Sequence, residues 1–157
     1  MMTDEMFEKY YPKIYNYVYY RVMHKETAED ITSETFCKAV AGKNGYDSVR
    51  ASYSTWLFTI AHNCVLNYYR AKKFEISLDG YADIPNYDSL DDALIADEEL
   101  ERLYTLLKTL PERERTILAL RFWGEFSYAE IAAQMGLTEK NTGVILSRTI
   151  AKIKSLW

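Results

Sequence analysis

The sequence predicts an all-α protein of two small helical domains joined by a flexible acidic linker. Three observations predict it. Apolar residues recur at i, i+3, i+4 and i+7 over several separate stretches. The charge is uneven: residues 76–100 hold no Lys/Arg against 8 Asp/Glu, residues 1–75 hold 10 against 9, and residues 101–157 hold 9 against 6. Near the end, FSYAEIAAQMGLTEKNTGVILSRTIAKI reads as two helices around a tight turn, a helix-turn-helix whose second helix suits a DNA major groove. An ordinary helical hairpin is the alternative reading of that stretch alone.

In chain order, the first helix spans Asp4 to Val22, with Phe7, Tyr10, Tyr11, Ile14, Val18 and Val22 on its apolar face. Pro12 divides a short first turn from the main helix. A second helix opens at Thr27 and stops at Gly42, with Ala28, Ile31, Thr35, Ala39 and Val40 facing inward. Its outer face carries Asp30, Ser33, Glu34 and Cys37, so two carboxylates stand one turn apart; a solvated surface is the bland alternative.

A loop bearing Tyr46 and Tyr53 leads to a long third helix capped by Ser54 or Thr55. Trp56, Leu57, Ile60, Ala61, Cys64, Val65 and Tyr68 form its buried face. Thr59, Asn63, Asn67 and Arg70 form a polar stripe that ends in Arg70, Lys72 and Lys73. Amide side chains donate and accept, so the stripe can read unpaired base edges while the basic end neutralises phosphates and nearby aromatics stack bases. Plain solvent exposure of Asn63 and Asn67 is the competing reading.

Residues 76–96 lack sustained periodicity and form the linker. Leu100, Leu103, Leu107 and Leu110 mark the next helix, closed by Pro111, which also opens the following one with Ile117, Leu118 and Phe122 inward and Gly124 at its end. Ser127 and Glu130 form a capping box, Ile131, Ala132 and Met135 an apolar face, and Gly136 the left-handed reversal. Thr138 caps the last helix, with Thr142, Leu146, Thr149 and Ile153 facing inward.

Composition excludes several classes. No apolar run reaches membrane-spanning length and no leader pattern is seen, so a cytoplasmic location without membrane contact is expected. Cys37 and Cys64 lack metal or redox spacing and are expected as buried thiols; His24 and His62 are too few for a metal centre. No nucleophile stands with a base at motif spacing and no glycine-rich phosphate loop occurs, so no enzyme and no cofactor are expected.

These motifs, in this order around an acidic linker, resemble a sigma factor of RNA polymerase, of the small extracytoplasmic-function group in the sigma-70 family. AEDITSETFCKAV and STWLFTIAHNCVLNYYRAKK resemble segments of the family's region 2; LKTLPERERTILALRFWGEFSYAEIAAQMGLT resembles region 4. The resemblance covers nearly the whole chain. It implies region 2 over residues 1–75, the linker over 76–96 and region 4 over 97–157. Core polymerase would be met by Asp30 and Glu34 on the clamp helices, with Ile31 and Phe36 as apolar support, and by region 4 on the flap.

Asn63 matches the residue that cups a flipped minus-ten base; Thr59, Asn67, Arg70, Lys72 and Lys73 extend that surface, and the loop of Tyr46 and Tyr53 closes over the base. Trp56 is expected in the core. Ser127, Lys140, Asn141, Val144, Ile145, Arg148 and Lys152 fall where the family meets the minus-thirty-five duplex, Arg148 being the foremost phosphate or guanine contact. The helix departs from the family in having Gly143, Val144 and Ile145 where basic residues are common, so Val144 and Ile145 suit thymine methyls or a protein partner. The implied partners are core RNA polymerase, promoter DNA in duplex and single-stranded form, and an anti-sigma factor. A dimeric helix-turn-helix regulator and a helical adaptor without nucleic-acid function are the rival readings.

Overall fold

The computed structural model describes residues 3–42, 45–79 and 98–157. Among them every regular element is a helix, and the chain divides into two compact units, Met1–Ser89 and Leu90–Trp157.

The first unit is a bundle of α1 (Asp4–Val22), α2 (Lys25–Ala41) and α3 (Tyr53–Asp79). Thr3 caps α1, its hydroxyl accepting from the Met6 N–H, and the helix runs unbroken through Pro12. Proline removes one backbone hydrogen bond, but the carbonyl that loses it belongs to Glu8, an exposed residue, so the loss falls on the solvent side of the helix rather than in the core. The expected division at Pro12 therefore does not occur. The cap of α2 also differs from expectation: His24, with Nδ1 accepting from the Thr27 N–H at 3.2 Å, starts the helix at Lys25. Likewise Ser52 rather than Ser54 or Thr55 opens α3, its hydroxyl accepting from the Thr55 N–H at 3.1 Å.

Tyr10 meets Tyr53, Tyr17 meets Phe58, and Arg21 meets His62, so α1 and α3 run parallel. Between them α2 runs the other way, with Phe36 near its end against Phe7 and Tyr11 near the start of α1. The core contains Ile14, Tyr17, Val18, Leu57, Phe58, Ala61 and Val65. Each large apolar side chain so buried contributes about 1.5–3 kcal/mol over its exposed state. Thr32 and Thr35 are also buried, their hydroxyls donating to the carbonyls of Ala28 and Ile31, so their polarity is satisfied within α2. Val40, expected inward, is 52% exposed, whereas Thr32 and Phe36 take the inner positions. Cys64 is buried but Cys37 is exposed, which corrects the expectation of two buried thiols.

The second unit holds α4 (Glu98–Thr109), α5 (Glu112–Phe122), α6 (Tyr128–Met135) and α7 (Glu139–Leu156). In α5, Arg115 through Leu120 are all buried, so neighbours wrap it on every side. Both of its ends emerge, with Glu112 and Arg113 exposed at the start and Arg121 and Phe122 at the finish, the last contrary to its expected inward position. Tyr104 and Leu107 bury one face of α4 and Leu110 is buried just past its end; the side chain of Leu100 lies outside the described residues. Arg102 reaches the C-terminal end of α7, its guanidinium 5.0 Å from the Trp157 ring centroid. Residues 80–97, most of the expected linker, lie outside the described residues, and α3 itself continues to Asp79.

One polar network lies inside the first unit. Arg21 is 1% and His62 2% exposed, and Arg21 Nη1 donates to the Tyr17 hydroxyl at 2.9 Å and to His62 Nδ1 at 2.8 Å. Arginine has only donors, so His62 must accept at Nδ1 and remain neutral. Burial, and then the Arg21 charge, lower the His62 pKa from 6.5 to about 4. Below pH 6.5 the unfolded chain binds a proton that the folded chain refuses, so stability falls with pH until about pH 4. Denaturant titration should find the first unit about 2 kcal/mol less stable at pH 5 than at pH 8 from this residue, and His62→Gln should remove that part of the slope.

Candidate nucleic-acid interface

Burial of one side of α3 turns the opposite side outward, and Asn63, Asn67 and Arg70 are all exposed there. Arg70 Nη1 lies 3.5 Å from Asn67 Oδ1, which aligns the two along one edge. Thr59 is half-buried and donates its hydroxyl to the Thr55 carbonyl at 2.7 Å, so that group serves the helix first. Lys72 turns back over Tyr68, 5.7 Å from the ring centroid, while Lys73 is exposed.

At the head of α3 the aromatics form a cluster. Tyr53 is the first residue of the helix rather than part of the loop, and Trp56 is half-buried rather than in the core. Tyr46, which is in the loop, packs on Tyr53 at 5.4 Å and on Trp56 at 5.3 Å between ring centroids. Tyr53 meets Trp56 at 5.6 Å. Such pairs add about 0.5–1.5 kcal/mol each beyond area burial, which holds the loop against α3. Burial raises the Tyr53 pKa, with Tyr10 and Tyr46 contributing, so its hydroxyl stays protonated.

Asp30 and Glu34 are exposed on α2, as expected. Glu34 pairs with Lys38 at 3.0 Å, an exposed pair of little stabilising value. A shallow groove between α2 and α3 is lined by Thr27, Asp30, Ile31, Glu34, Asn67 and Tyr68. The two carboxylates and Asn67 of the amide stripe thus border one groove, a juxtaposition that one-dimensional spacing does not reveal. Ile31 is 4% exposed and forms its floor. Phe36 is 5% exposed and packs against Phe7 and Tyr11, turned away from Glu34 by the helix's rotation, so it supports α1 rather than the carboxylates. The Cys64 thiol lies beneath, its pKa raised by burial.

In the helix-turn-helix, Ser127 and Glu130 form the capping box, at 3.1 Å in both directions. The Ser127 hydroxyl is thereby committed to the helix. Gly136 adopts φ 67°, and the Thr138 hydroxyl accepts from the Asn141 N–H at 3.1 Å. Phe126, Ile131, Thr142, Leu146 and Thr149 are buried. Lys140, Val144 and Arg148 follow at one-turn intervals on the exposed face of α7, with Asn141 exposed and Ile145 half-buried at its margins. Lys152 stands 4.0 Å from Glu114 Oε2, which draws part of its charge inward.

A three-helix bundle and a helix-turn-helix unit define the structural class, and comparison with known proteins agrees with it. Sigma-70 region 2 matches residues 6–75 and Sigma-70, region 4 matches residues 100–153. The chain is 34% identical over 158 residues to RNA polymerase sigma factor YlaC of Bacillus subtilis, covering 96% of this chain and 89% of that one. It is 30% identical to ECF RNA polymerase sigma factor BldN of Streptomyces coelicolor, covering 96% of this chain and 57% of that protein. Among solved structures, the sigma factor RpoE in complex with the anti-sigma factor NepR from Bartonella quintana has a similar fold, with TM-score 0.82, 21% identity, and 97% and 94% of the two chains covered. CnrH in complex with the cytosolic domain of CnrY matches with TM-score 0.66 at 20% identity, covering 97% of this chain and 84% of that one. The chain belongs to the sigma-70 family of RNA polymerase sigma factors, in its extracytoplasmic-function group.

Gly143 lies inside α7, where glycine costs about 0.5–1 kcal/mol relative to alanine. A Cβ there would meet Tyr128 Cε2 at 3.5 Å, ordinary contact, so packing in the unit does not demand glycine. Gly143→Ala should therefore stabilise the second unit by about 0.5–1 kcal/mol in a thermal melt. Lost promoter activity in the stabilised variant would identify close DNA approach as the reason for glycine.

Proposed function

We propose that this chain is a promoter-specificity subunit that binds core RNA polymerase, directs transcription initiation, and is held in check by an anti-sigma factor. It performs no covalent chemistry. Its place is the cytoplasm; among the described residues no helix is long and apolar enough to cross a membrane. The observation that carries the reading is the exposed Asn63, Asn67, Arg70 edge on a helix whose other side is packed, beside the Tyr46, Tyr53, Trp56 cluster. Extruding a base costs a few kcal/mol, so its acceptor has to be rigid before the base arrives.

In this reading Asn63 and Asn67 take the edge of an unpaired minus-ten base, and Arg70, Lys72 and Lys73 meet phosphates. Thr59 contributes a shape rather than a free hydroxyl. Tyr46 and Tyr53 wall the base pocket. Asp30 and Glu34 meet basic side chains of the polymerase clamp across the groove floored by Ile31. Lys140, Asn141, Arg148 and Lys152 meet the minus-thirty-five duplex, with Val144 and Ile145 against thymine methyls and Ser127 holding the helix entry. Residues 1–75 act as region 2 and 97–157 as region 4, joined by the acidic stretch 76–96. The net charge of -4 is workable because polymerase supplies most of the attraction for DNA.

Run-off transcription with the chain, core RNA polymerase and a promoter library tests this. Chain-dependent transcripts that fall at least tenfold with Asn63→Ala are expected. Binding of free duplex DNA without any chain-dependent transcript would instead favour a dimeric regulator. The inhibitory partner is expected to cover α7, since Val144 is 37% exposed there. Val144→Asp should weaken that complex at least tenfold in a competition assay, and an unchanged affinity would exclude this position from it.

A further inference from the structure

The aromatic cluster at the head of α3 does not end on α3. Tyr10 of α1 packs on Tyr53 with ring centroids 5.6 Å apart. Lys9 and Lys13 stand one turn apart beside Tyr10, their ammonium groups 5.3 and 5.9 Å from its ring centroid. Both lysines are exposed, and among the described residues neither forms an ion pair, although Asp4, Glu5 and Glu8 share the helix. Two positive charges are thus carried on a ring that belongs to the same cluster as Tyr46, Tyr53 and Trp56, with no ion-pair partner among the described residues to neutralise them.

We propose that Lys9 and Lys13 bind phosphates of the separated promoter strand and carry it from the α3 edge across the aromatic cluster onto α1. The proposal rests on the reading of Asn63 given above. Because α1 and α3 are parallel, Tyr10 is level with Tyr53, ten residues or about 15 Å along α3 from Asn63. That is a span of a few nucleotides. Along it the protein offers Asn63, then Trp56, Tyr46 and Tyr53, and finally the two lysines. Flat faces interleaved with cations are what an unpaired strand requires, since every base has a face to stack and every phosphate a charge to neutralise. The contact between each ammonium and Tyr10 keeps the lysine stems ordered, so less freedom is lost when a phosphate arrives. Phosphate contacts carry no sequence information, and these lysines should strengthen binding to all sequences alike.

The test uses holoenzyme reconstituted from the full chain and core polymerase, with a fluorescein-labelled single-stranded oligonucleotide carrying the minus-ten sequence found by run-off transcription, and a scrambled control. Anisotropy is read across a salt series. Each phosphate contact on a single strand contributes about 0.7 to the slope of log affinity against log salt, so the Lys9→Ala, Lys13→Ala double variant should lower that slope by about 1.4 for both oligonucleotides. The Lys9→Arg, Lys13→Arg variant should keep the wild-type slope. Asn63→Ala should leave the slope unchanged and erase the preference for the minus-ten sequence. A wild-type slope in the double alanine variant overturns the proposal, as does weakened binding to core polymerase at constant slope, which would make the lysines polymerase contacts. If Asn63→Ala behaves as expected in that case, the α3 reading stands and only the α1 extension fails. If wild-type holoenzyme binds neither oligonucleotide, both fail together.

Discussion

The first unit depends on the burial of one side of α3. Leu57, Phe58, Ala61, His62, Cys64 and Val65 are all shut against α1 and α2, and this sets the rotation of α3 about its axis. Helical geometry then places Asn63, Asn67 and Arg70 outward, where solvent or a ligand meets them. The buried side is not purely apolar. The Arg21 guanidinium sits between Tyr17 and His62, and the Tyr69 hydroxyl donates to the Arg21 carbonyl at 2.8 Å. A buried cation tolerates little displacement of its acceptors, so this network fixes the register of α1 along α3 more sharply than aliphatic contact does.

The second unit reaches its form by local means. The capping box at Ser127, the left-handed Gly136 and the Thr138 cap set the path between α6 and α7 within a dozen residues. Packing around α5 then holds the pair as one body, and the exposed face of α7 follows from which of its residues are buried. The two units therefore present their edges differently. One edge is an outcome of helix rotation in a bundle, and the other of a turn.

Much of this was legible in the sequence because helical spacing and caps are local physics. The bounds of α1, the capping box, Gly136, the Thr138 cap and the exposed positions Asp30, Glu34, Asn63 and Asn67 all follow from residues within one or two turns of each other. The misplacements share one cause. His24 as a cap, Ser52 as a cap, and continuity through Pro12 turn on alternatives of similar local quality. Phe122 and Val40 fit an apolar stripe yet lie where no neighbour covers them, and Phe36 sits off the expected stripe but meets two rings of α1.

By itself the sequence determined the helices, the turn, the separation of charge along the chain and the residue types on the exposed helix faces, because each depends on chemistry between near neighbours. Tertiary structure alone decided which residues share a surface. It set Asp30 and Glu34 beside Asn67 on one groove, joined Tyr10 to the Tyr46, Tyr53, Trp56 cluster, and buried Arg21 against His62. The physical reason is that those partners are 33 to 43 residues apart along the chain, as Asn67 is from Glu34 and Tyr53 from Tyr10. Only the packing of three helices brings such distances to contact.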